Sequence, residues 1–183
     1  ILKEIAPVAR KAVGIDISPG MLAQARERGL DVHEATATEL PFDDESFDAV
    51  YSFKVLAHVE EIERAMCEVS RVLRPGGRAA LEFYNRRSLR YLIKRLKQPN
   101  QVSDVTTDDM VYTRYDTLKD VRGYLPSNLR VDDVRGIRVF TPFAQVHMVP
   151  GVKHAFARAE RVARDNALTR GFGGFLVVMV TKV

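Results

Sequence analysis

The feature that most constrains the fold is an alternation. Between residues 11 and 83, short apolar runs are separated by stretches with helical spacing. Residues 11–17 (KAVGIDI) are mostly apolar and read as a buried strand. Ser18 is a good helix N-cap, and Pro19 has its φ already set for a first helical turn. Met21, Leu22 and Ala25 repeat at helical spacing until Gly29 closes the segment. Residues 30–33, 47–53 and 78–83 read as three further strands. Residues 60–73 carry Ile62, Met66, Val69 and Leu73 on one helical face, with Glu61, Glu63, Glu68 and Arg71 away from it. Arg74-Pro75-Gly76-Gly77 is a turn, with Pro and Gly in the order that suits the centre of type II. Strands alternating with helices at this spacing predict a doubly wound α/β sheet.

The pattern changes after Tyr84. Residues 85–96 read as an amphipathic helix with Leu89, Leu92 and Leu96 on one face. The opposite face is basic. Residues 98–113 are polar and irregular, with Asp104, Asp108 and Asp109. Loops of that length in compact domains are often lids or binding loops. A short helix at 117–125, a strand at 130–140, a helix at 152–163 and a final strand at 175–183 complete the expectation. Gly171, Gly173 and Gly174 set off the last strand.

Composition excludes several classes. The chain of 183 residues can bury one sizeable core, and its 46% hydrophobic and 28% charged residues are those of an ordinary globular protein. The longest aliphatic run, 175–180, is too short to span a bilayer. No secretory signal is visible. Cys67 is the one cysteine, so no internal disulfide can form, and a cytoplasmic location is the easiest reading. Beside Met66, Cys67 reads as a packing residue. The net charge is +4, but the basic residues are spread along most of the chain, and no nucleic-acid partner is expected. Their densest cluster is Arg86, Arg87, Arg90, Lys94, Arg95 and Lys97. A solvated face is favoured there over peripheral contact with an anionic membrane. His33, His147 and His154 show no ligand spacing with one another or with Cys67, so no metal is expected.

Asp16 ends a predicted parallel strand just before a helix. In open α/β sheets ligands bind beyond the carboxyl ends of the strands, and a carboxylate there can accept from both ribose hydroxyls of a nucleoside cofactor. A turn aspartate that caps the following helix fits the position equally well.

The order of the pieces is more specific than any one of them. Gly14-Ile15-Asp16-Ile17-Ser18 is followed by Ala37-Thr38-Glu39-Leu40-Pro41-Phe42 and Ser46-Phe47-Asp48-Ala49-Val50. His58-Val59 and Val72-Leu73-Arg74-Pro75-Gly76-Gly77 come next. The set resembles the class I S-adenosylmethionine-dependent methyltransferases that act largely on small molecules, over roughly residues 1–85. The resemblance implies a Rossmann-like sheet, mostly parallel with an antiparallel final strand. It implies one domain: a cofactor-binding part at 1–85, a lid or acceptor-binding insertion at 86–125 and closing elements at 126–183.

For the site, the resemblance implies that S-adenosylmethionine is the cofactor. Asp16 would hold its ribose, Ile17 and Met21 would pack on the adenine, and the Ala37 backbone would meet the adenine edge. Thr36 stands where the family often has an acidic residue. Phe53 would line the methionine portion. Tyr84, Asn85 and Tyr115, with Tyr91 and Tyr112 nearby, are candidates to line the pocket of a small-molecule acceptor. His58 is a candidate general base, although a structural histidine at a helix start is favoured. The family opens with a strand and a Gly-x-Gly turn that this sequence lacks, so a chain truncated at its N-terminus is expected. Two other readings stay open: a methyltransferase-like module that binds without catalysing, and a nicotinamide-dependent oxidoreductase. The second explains Asp16 but not the Leu-Pro-Phe and Arg-Pro-Gly-Gly pieces.

Overall fold

The structure, a computed structural model, describes residues 2–96, 101–103, 106–107, 112–139, 152–166 and 169–183. In chain order the strands are β1 (Gly14–Asp16), β2 (Val32–Glu34), β3 (Phe47–Ser52), β4 (Leu73–Tyr84), β5 (Gln101–Ser103), β6 (Thr106–Thr107), β7 (Leu129–Ile137) and β8 (Phe175–Lys182). The helices are α1 (Leu2–Ile5), α2 (Pro19–Glu27), α3 (Ile62–Val72), α4 (Leu89–Leu96), α5 (Leu118–Tyr124) and α6 (Val152–Asp165).

β1 and β2 pair in parallel, with α2 between them in sequence. Ser18 caps α2 by accepting the Met21 N–H at 3.4 Å, and Pro19 follows at the first helical position. The larger sheet has the order β3–β4–β8–β7. β3 is parallel to β4, while β8 runs antiparallel to both β4 and β7. The final strand is therefore the antiparallel one in an otherwise parallel arrangement. Among the described residues the sheet is divided, because β1 and β3 are not paired with each other. Segment 98–113, expected to be irregular, includes the short antiparallel ribbon β5–β6.

The turn at 74–77 lies inside β4. Phe47 pairs with Leu73, and two residues later Ala49 pairs with Arg78, so the intervening four residues bulge from the ladder. Gly76 has φ +78°, the left-handed conformation that the third position of a type II turn requires. The Leu40-Pro41-Phe42 loop is held by α3. Arg71 donates to the Leu40 and Phe42 carbonyls and to Asp44, and Glu68 accepts the Leu40 N–H at 2.7 Å. The Arg71 guanidinium in turn holds the Glu68 carboxyl below its ordinary range.

β4 separates two environments by strand alternation. Leu81 and Phe83 join Met66, Val69, Leu176, Val178 and Val121 in the core beneath α3 and α5. Glu82 and Tyr84 project from the opposite face. No helix among the described residues is long and apolar enough to cross a membrane.

Candidate functional site

Asp16 ends β1, as the alternation predicts. Its Oδ1 accepts the Ser18 N–H at 2.8 Å, which fixes the carboxylate at the strand-to-helix turn. Its Oδ2 has no hydrogen bond among the described residues. Ile17 and Met21 are exposed beside it, although both are apolar. Thr36 and Ala37 follow β2. The Thr36 hydroxyl lies 2.9 Å from that of Thr38, and Thr36 forms an isolated bridge with Glu39, while Ala37 packs against the core. A free carboxylate oxygen next to two uncovered apolar side chains suits a ribose joined to a flat heterocycle.

Phe53 follows β3, and the chain then turns sharply. Lys54 takes φ +60°, a costly conformation for a non-glycine residue. Its N–H is captured at 3.1 Å by Glu82, which is buried. Burial raises the Glu82 carboxyl above its ordinary range. Arg90, Arg138 and the Lys54 ammonium face it and oppose that rise.

Tyr84 is the centre of an aromatic basin. Its ring lies 5.8 Å from His58, 5.7 Å from Tyr115 and 5.1 Å from Phe175. Tyr91 extends the group, 4.7 Å from Tyr115. The guanidiniums of Arg90 and Arg138 sit 5.3 and 5.7 Å from the centre of the Phe175 ring. Burial also pushes the Tyr84 phenol up. His58 is exposed at one side, its Nδ1 2.8 Å from the Tyr112 carbonyl. A carbonyl can only accept, so Nδ1 donates to it, and in the neutral imidazole Nε2 is the nitrogen with the lone pair.

Asn85 occupies a different place from its neighbours. It is fully buried, and its amide donates to the carbonyls of Gly171 and Gly173, both at 2.8 Å. Its Oδ1 accepts the Arg87 N–H at 3.0 Å. The expected acceptor contact would need a free amide, and this one is occupied by backbone. Asn85 ties the entry of α4 to the start of β8.

The residues that organise the basin were not singled out in the sequence. Arg114 donates to the Leu56 and Val59 carbonyls at 3.0 and 2.8 Å and to both oxygens of Asp116. Asp116 also accepts the Tyr124 hydroxyl at 3.0 Å, and its N–H donates to the Tyr84 carbonyl at 2.8 Å. Burial, with Asp116 adding to it, pushes the Tyr124 phenol up to about 12. This network clips segment 112–117 over the turn that carries His58. The one sequence signal was Thr117, which caps α5 reciprocally with Asp120 and marks where the segment ends.

Among the described residues no cluster of His, Cys, Asp or Glu could hold a metal. His147 and Lys97 lie outside the described residues, as do Asp104, Asp108 and Asp109 and the side chain of His154.

Residues 1–81 match the family model described as a methyltransferase domain. Over 90 residues the chain is 48% identical to a demethylmenaquinone methyltransferase of Thermus thermophilus, a match covering 45% of this chain and 40% of that protein. A demethylmenaquinone methyltransferase of Tropheryma whipplei is 37% identical over 108 residues, covering 51% and 45%. The chain thus spans less than half the length of these curated relatives. The fold is that of a solved S-adenosylmethionine-dependent methyltransferase of Thermotoga maritima, described as a possible histamine N-methyltransferase. That comparison has a TM-score of 0.67 at 21% identity, over 98% of this chain and 76% of that one. A Mesorhizobium loti S-adenosylmethionine-dependent methyltransferase gives 0.62 at 22% identity, over 95% and 81%.

Proposed function

We propose that this chain, whose residues 1–81 match a methyltransferase domain, transfers a methyl group from S-adenosylmethionine to a small, planar aromatic acceptor. Two half-sites, at the ends of β1 and β4, carry the reading. One is the Asp16 turn with its uncovered Ile17 and Met21, and the other is the aromatic basin around Tyr84. The acceptors named for the curated relatives are quinones, which are flat rings. Stacking against Tyr84 and Tyr115, which are only half-buried, would hold such a ring.

When bound, S-adenosylmethionine supplies a methyl group activated on a sulfonium, open to in-line displacement. Asp16 Oδ2 would accept from the ribose, and Ile17 and Met21 would exclude water from the adenine. The rings of the basin would align the acceptor, and alignment with water exclusion accounts for most of the rate. The acceptor's proton would pass to Nε2 of neutral His58, whose Nδ1–H the Tyr112 carbonyl would hold. Arg90 and Arg138 would favour an acceptor that carries negative charge as its proton leaves.

Calorimetric titration with S-adenosylmethionine, with NAD as the control, tests the cofactor assignment. Binding of S-adenosylmethionine alone is expected, and Asp16→Ala should weaken it about tenfold, as loss of a charged hydrogen bond does. Binding of NAD instead, or unchanged affinity in Asp16→Ala, would overturn it.

A further inference from the structure

The amphipathic pattern of α4 is turned outward. Arg90 and Lys94, one helical turn apart, face the protein, with Arg90 over Phe175 and the Lys94 ammonium 5.8 Å from the Tyr115 ring centre. Leu89, Leu92 and Leu96 face solvent, exposed by 48%, 54% and 80%. Their spacing places them in one stripe. A leucine stripe left in water is unfavourable, and three together mark a contact surface more strongly than one would.

Charge narrows the choice of partner. From Phe83 to Ser103 the sequence has six cations and no carboxylate. Arg86, Arg87 and Arg95 are exposed at and before this helix, Arg86 donating through Nε to the Tyr115 carbonyl at 3.1 Å and Arg95 lying 6.0 Å from the Tyr91 ring centre. A second copy pairing through the same stripe would set these cations against their equivalents, which is repulsive. An apolar strip flanked by basic residues is instead complementary to the acyl and headgroup layers of an anionic bilayer.

We propose that α4 is a peripheral membrane contact, with Leu89, Leu92 and Leu96 entering the interface of an anionic bilayer and Arg86, Arg87 and Arg95 meeting its headgroups. The inner face of the same helix lines the aromatic basin through Tyr91 and Arg90. Docking would therefore bring the basin to the bilayer surface, where an apolar acceptor can be drawn from it.

Co-sedimentation of the chain with vesicles tests this without any methyl donor, so its outcome is independent of the proposed activity. The vesicles are phosphatidylcholine alone and phosphatidylcholine mixed with phosphatidylglycerol. Pelleting with the anionic vesicles is expected, falling with added salt. Leu92→Glu should weaken it about tenfold, and Arg95→Glu severalfold. Leu92 is exposed, so its variant should melt at the temperature of the parent chain, and circular dichroism checks that. Three results would each overturn the proposal: no pelleting with either vesicle, equal pelleting with both, or undiminished pelleting of Leu92→Glu. So would a dimer in sedimentation velocity that Leu92→Glu dissociates, which would assign the stripe to self-association.

Discussion

Asp116 is 1% exposed and carries a charge, which is sustainable only because Arg114 and Tyr124 are bonded to it. Arg114→Met removes that pairing and frees the Leu56 and Val59 carbonyls. It should cost about 3–5 kcal/mol of stability, read as a shifted urea midpoint, because the remaining charge is buried and unpaired. Adding Asp116→Asn should recover part of the loss. Glu82 behaves in the opposite sense. Its carboxyl is raised in the folded state, so folding favours its protonated form. The stability it contributes is full below its unfolded value and is lost as pH rises through the folded one. Glu82→Gln should therefore raise the melting temperature at pH 7, with the gain shrinking toward pH 4. Thermal melts across that range check the trend, and a gain that grows with acidity would contradict it.

At the scale of elements, what decides orientation is what each face meets. α3 buries the face its periodicity predicts, with Ile62, Met66 and Val69 in the core. α4 has an equally clear periodicity but buries the other face. Its neighbours on the inside are Phe175, Tyr115 and the Glu82 carboxylate, and these can hold guanidinium and ammonium groups. Periodicity shows that two faces differ. It does not say which one the protein receives, so the expected solvated basic face was half right. Arg86, Arg87 and Arg95 are exposed, but Arg90 and Lys94 are not free in solvent. The strand and helix positions were readable because capping, turn and burial signals agree locally. β1 is shorter than the apolar run that announced it, since only Gly14–Asp16 finds a partner in β2.

Over the whole molecule, the closest approaches join segments far apart in sequence. Gly136 in β7 lies against the turn before β8, where an added Cβ would come within 2.2 Å of the Arg170 carbonyl oxygen. A Cβ on Gly173 would meet the Gly136 Cα at 2.7 Å. Gly136→Ala forces two backbones apart and should destabilise the chain by about 1–3 kcal/mol in a denaturant titration. A neutral result would mean that the turn at 170–172 shifts freely. The same region receives both amide bonds of Asn85, so the aromatic basin and the β7–β8 seam share one support. The sequence by itself determined the α/β alternation, the turn around Gly76 and the position of Asp16 at a strand end, because each depends on neighbours a few residues away. Only the tertiary structure decided that Asn85 is a buried tie, that Arg114 and Asp116 hold the His58 turn, and that α4 shows its leucines to solvent. Those outcomes depend on contacts between residues tens of positions apart, and no local spacing encodes them.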